Sequence, residues 1–200
     1  MRGVLPLFAG DSGHRRAVLA WLLSIGLTLF ACSVQAAGDD IEIRSPYVTP
    51  MAGVYVLNAQ LLFTVPEQVE RTIREGATLT LDLQIKVTRT RKWWRDEVLA
   101  QLQQRYVLLY HGVSERYVLR NVNSGAQTSH ASFAQAIESL QHIENLPVLD
   151  TDLLTTDARN EFSLRATMGV RSIPRALGLL LFWVDDFSLE SDWYTWPLKP

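Results

Sequence analysis

Ten residues set the terms for the fold. Leu79, Leu81, Leu83, Ile85 and Val87 alternate with Thr80, Asp82, Gln84, Lys86 and Thr88, a period of two that only an extended strand with one buried and one wet face can use. An antiparallel sheet follows, because parallel strands are covered on both faces and read as continuous apolar runs. Val54–Val65 alternates in the same way, with Tyr55, Leu57, Ala59, Leu61 and Phe63 opposed to Asn58 and Gln60. Val98, Ala100, Leu102, Tyr106, Leu108 and Tyr110 predict a long strand, which His111–Ser114 turns into another carrying Tyr117 and Leu119. Phe162, Leu164, Ala166, Met168 and Val170 predict a further strand, and Phe187–Trp196 the last. Ile41, Ile43 and Tyr47 suggest a shorter strand before Pro50.

Two short helices interrupt the strands. Pro66 suits a first helical turn, Glu67/Arg71 and Glu70/Arg74 stand four apart with the acid leading, and Gly76 supplies the stop. Ser132 with Gln135 resembles a capping box, and Phe133, Ala136, Ile137 and Leu140 form one apolar face. That helix is expected to end near Asn145, before Pro147. The fold class is α+β, mainly antiparallel with six or seven strands, sandwich-like in the limit, and two short helices.

The N-terminus reads as an address. Arg15 and Arg16 precede Ala17–Val34, 18 residues without a charge, and Val34-Gln35-Ala36 offers small residues for signal cleavage. Residues 1–36 are therefore expected to be a signal peptide or a retained membrane anchor, 37–53 an extension or linker, and 54–200 a single domain. Cys32, within Leu29-Phe30-Ala31-Cys32, would be the lipidated residue of a lipoprotein, but bulky Phe30 argues against that. The expected location is exported and periplasm-facing. Past residue 36 the chain has no cysteine, 16 basic and 20 acidic residues. Thiol chemistry and a basic nucleic-acid binder are excluded.

Catalytic patterns are thin. There is no G-x-S-x-G turn and no glycine-rich phosphate cradle; His111, His130 and His142 lack the spacing of metal ligands, and Asp150, Asp152 and Asp157 lack the rest of a calcium loop. No metal or cofactor is expected. Two features stand out. In Lys86-x-x-Arg89-x-Arg91-Lys92-Trp93-Trp94-Arg95, five cations surround two indoles. Continued alternation would bury Arg89, Arg91 and Trp93, so the strand must bulge or outrun the core there. The other feature is Leu177–Val184, an apolar run without a period, which is either core or an exposed contact patch.

In order and wording, Val54-Tyr55-Val56-Leu57-Asn58-Ala59, Trp93-Trp94-Arg95-Asp96-Glu97, the Tyr106–Tyr117 hairpin, Ser132-Phe133 and Ser191-Asp192-Trp193-Tyr194-Thr195-Trp196 resemble the uncharacterised proteobacterial envelope family labelled domain of unknown function 4390. The resemblance implies an exported protein of Gram-negative type and brings no catalytic residues.

The reading that results is a non-enzymatic, periplasm-facing interaction domain working near the inner membrane. Trp93, Trp94, Arg95, Arg91, Lys92, Trp193 and Trp196 are its contact candidates, and an envelope protein or anionic lipid its partner. The alternatives are an enzyme using Asp96, Glu97 and Arg95, or a lipid carrier with an apolar cavity. Oligomeric state is left open.

Overall fold

The computed structural model describes residues 40–91, 95–154, 159–171 and 187–198. Residues 1–36, Lys92, Trp93, Trp94, Asp157 and the Leu177–Val184 run lie outside the described residues.

The order is β1 (Glu42–Met51), β2 (Val54–Leu62), α1 (Glu67–Arg74), β3 (Thr78–Thr90), β4 (Glu97–His111), β5 (Arg116–Asn121), β6 (Gln127–His130), α2 (Phe133–Gln141), β7 (His142–Asp150), β8 (Arg159–Arg171), β9 (Ser188–Glu190) and β10 (Tyr194–Pro197). Every pairing is antiparallel. One sheet runs β1-β2-β7; the other runs β10-β8-β3-β4-β5-β6, with β9 sharing the β8 edge with β10. Both helices stand where the chain changes sheet: α1 between β2 and β3, α2 between β6 and β7.

Leu57, Leu61 and Ile143 from the smaller sheet and Leu81, Leu83, Ile85, Phe162 and Leu164 from the larger join one buried cluster. Tyr55 meets Phe162 across the two sheets at 6.3 Å between ring centroids. The architecture is an α+β sandwich of antiparallel sheets, as the alternation predicts. The described strands number ten, more than the alternation reveals, because β6, β7, β9 and β10 are short or irregular.

Local chemistry explains most boundaries. Pro66 precedes α1, whose Val69, Thr72 and Ile73 are buried. Gly76 ends it at φ 105°, a left-handed angle that glycine accepts without strain. Ser132 accepts the Gln135 N–H at 3.3 Å and so caps α2. The Gln135 side chain reaches back, but to the N–H of Ala131.

Three expectations need correction. Residues 37–53, expected to be an extension or linker with a short strand around Ile41, Ile43 and Tyr47, do carry that strand, but it is longer and is part of the sheet: β1 pairs with β2 from Glu42 to Met51, and Met51 pairs with Val54 around Ala52 and Gly53, both at positive φ, as a tight type I′ hairpin requires. The second helix stops at Gln141 rather than near Asn145, and His142–Asp150 is strand β7. Pro147 sits inside it, which an edge strand tolerates. The final strand is two short ones, β9 and β10, separated by a corner at residues 191–193.

Both neighbours of β2 are bulged at the same level. Between Arg44 and Tyr47, Ser45 and Pro46 oppose Ala59 alone, and between Ile143 and Leu146, Glu144 and Asn145 oppose Asn58 alone.

Candidate functional site

Of the two ways out that alternation allows, β3 takes the second: it stays regular against β8 as far as Thr90 and its cationic end outruns the core, while the extra residue in the β3–β4 ladder, Leu99, lies on β4. Arg89 then turns its guanidinium to Glu97 and to the carbonyl of Leu153, at 3.4 and 3.2 Å. Arg91 also pairs with Glu97, and its backbone N–H donates to Asp96 Oδ1 at 3.3 Å. Arg95 and Asp96 are exposed. Glu97 is thus held between two guanidiniums while Asp96 caps the turn, so the two acids do not converge on a shared proton.

The C-terminal tryptophans part company. Trp196 is half-buried and stacks on Phe162, with centroids 5.9 Å apart and planes 26° from parallel. It belongs to the packing of the sandwich. Trp193 sits on the β9–β10 corner and is 44% exposed. The Arg165 guanidinium lies over its ring, 6.0 Å from the centroid, a cation–π arrangement; Arg165 also pairs with Glu190.

Beside Trp193 runs an open groove of about 720 Å³ between residues 40–43 and residues 190–194, with Arg165 on its wall. The Ile41 N–H donates to the Glu190 carbonyl at 3.2 Å and ties the two segments together. Asp40, Glu42, Glu190 and Asp192 line the groove against the single Arg165. Arg44 holds Glu42 through two hydrogen bonds of 3.0 Å, and this pairing keeps the Glu42 carboxyl below its ordinary pKa. Among the described residues, Asp40 and Asp192 make no ion pair. Tyr194, 43% exposed, adds a second ring. The site is therefore acidic and aromatic.

Of the expected contact residues, Trp193 lines this groove, Trp196 packs on Phe162 instead, and Arg91 and Arg95 belong to the β3–β4 turn. The groove itself escaped the sequence reading because its walls come from residues as far apart as 40 and 194. Among the described residues, no three His, Cys, Asp or Glu side chains are grouped so as to hold a metal ion, and no helix is long and apolar enough to cross a membrane.

No curated protein and no solved structure matches this chain. A family model does match, from residue 38 to residue 197. That span takes in every strand and helix described above, and the chain belongs to the family of the domain of unknown function DUF4390.

Proposed function

We propose that the protein is a non-enzymatic, periplasm-facing interaction domain of the Gram-negative cell envelope, working near the inner membrane and binding a partner through the surface around Trp193. The observation that carries this reading is an indole left 44% exposed on a corner, fixed by Arg165 and bordered by a groove. Tryptophan on wet, amphipathic surfaces is typical of protein contacts. Location rests on the uncharged Ala17–Val34 segment behind Arg15 and Arg16.

Charge chooses between the two kinds of partner. With Glu42 paired to Arg44 and Glu190 to Arg165, Asp40 and Asp192 leave the groove net acidic, which repels an anionic lipid surface and favours a protein partner that presents lysine or arginine. Trp93 and Trp94 enter the proposal from sequence alone.

Crosslinking of the full-length protein in its native envelope tests the reading. A Trp193→Ala variant should lose its crosslinked neighbours while the folded amount stays constant, because an exposed side chain contributes little to stability. An unchanged crosslinking pattern would refute the assignment of this surface. Trp93→Ala/Trp94→Ala, tested in parallel, reports whether the β3–β4 turn belongs to the same contact.

A further inference from the structure

The paired bulges on either side of β2 shape a second hollow, of about 280 Å³, on the solvent-facing side of the smaller sheet. Each bulge contains a non-glycine residue in the left-handed region: Ser45 at φ 46° and Asn145 at φ 51°. Left-handed backbone is unfavourable for an L-residue with a side chain, and bulges serve to re-aim side chains that a regular ladder would space evenly. Asn58 fixes the second bulge by accepting the Asn145 N–H at 3.0 Å.

The side chains brought to the hollow are Ser45, Tyr47, Asn58, Gln60, His142 and Glu144. His142 donates from Nδ1 to the Glu138 carbonyl at 2.9 Å, which orients the ring and leaves Nε2 for another partner. The hydroxyls of Ser45 and Tyr47, the Gln60 amide and the Glu144 carboxylate form no hydrogen bond or ion pair among the described residues. Tyr47 lines the hollow and is 54% exposed.

These groups select by chemistry. One carboxylate repels an anion and is too little for a metal, which needs several ligands. Donors and acceptors set around an aromatic face fit a neutral ligand that has many hydroxyls along its edge and aliphatic C–H bonds on its face. The volume lies just under the roughly 300 Å³ at which small-molecule pockets begin, room for one ring of a chain.

We propose that this hollow is a saccharide-binding subsite: one uncharged pyranose ring stacks on Tyr47, and Gln60, His142 Nε2 and Glu144 hydrogen-bond its hydroxyls. Saturation-transfer NMR on the full-length protein tests it, with chitotriose and maltotriose as separate probes. Transfer to the ring protons of at least one is expected. The signal should fall at least tenfold in Tyr47→Ala and in His142→Ala, with melting curves of the Tyr47 variant unchanged, and should persist in Trp193→Ala. No transfer to either sugar, or transfer that survives both substitutions, would overturn the proposal. Loss of transfer in Trp193→Ala would overturn it as well, by placing the sugar in the other groove.

Discussion

Tyr117 fastens a helix to the sheet through its one polar atom. Its ring is buried on β5 between Tyr110 and Phe133. The hydroxyl donates to Glu70 at 2.5 Å and accepts from Arg74 at 2.7 Å, both on α1. Burial, and then the Glu70 carboxylate, push the phenol up to about 12 from 10.0, against the opposing pull of Arg74. The unfolded phenol ionises near pH 10. Its contribution to stability is therefore complete below that pH and is lost as pH rises towards 12. Tyr117→Phe should cost about 2 kcal/mol at neutral pH, as expected for hydrogen bonds to charged groups. Urea melts between pH 9 and 12 should show a shallower alkaline decline in the variant. The Glu70/Arg74 spacing was legible in sequence as an i,i+4 pair; its third member, 43 residues beyond Arg74, was not. The tryptophans show the same limit. Trp193 and Trp196 read alike along the chain, and only the pairing of Trp196 with Phe162 across β10 and β8 separates the packed ring from the exposed one.

Among the elements, β3 is the keel of the larger sheet. It is hydrogen-bonded to β4 and β8 along nearly its whole length, and Leu79, Leu81, Leu83, Ile85 and Val87 are fully buried. Leu83→Ala should destabilise by about 3 kcal/mol through lost burial and the cavity left behind. Gln101→Ala, on the exposed face of β4, should stay within about 0.5 kcal/mol; chemical denaturation of both variants checks the contrast. β3 was legible because nothing interrupts its period. β7 was not, because two irregularities in its register, at Glu144-Asn145 and at Val148, put the buried Ile143, Leu146, Val148 and Leu149 at uneven spacings, and Pro147 imitates a stop. The same arithmetic explains Val98. Alternation assigns it inward, but with Val87 opposite Ala100 and Thr88 opposite Val98, Leu99 is the extra residue and Val98 faces solvent. The hollow beside β2 stayed hidden for the same reason: bulges create it, and bulges erase the periodic signal that would reveal them.

At the scale of the molecule, the sheet margins are guarded. β1 contains Pro46 and Pro50 and a bulge, β7 contains Pro147 and a bulge, and β6 has four residues. Such devices discourage strand addition, so recognition on this protein falls to side chains. The fourth margin is closed in a different way. β10 covers β8 from Glu161 to Leu164 and β9 covers it from Thr167 to Gly169. In the gap Ser191 acts as a miniature strand: its Oγ accepts the Ala166 N–H at 2.8 Å, and its own N–H donates to the Ala166 carbonyl at 2.9 Å. The clasp is supplied by residues that are synthesised after β8. Until it arrives, β8 presents open backbone to every other unfinished copy nearby. A chain cut before Ser188 should therefore sediment as aggregate where the uncut protein does not, and production of this fold depends on β9, Ser191 and β10 out of proportion to the area they cover.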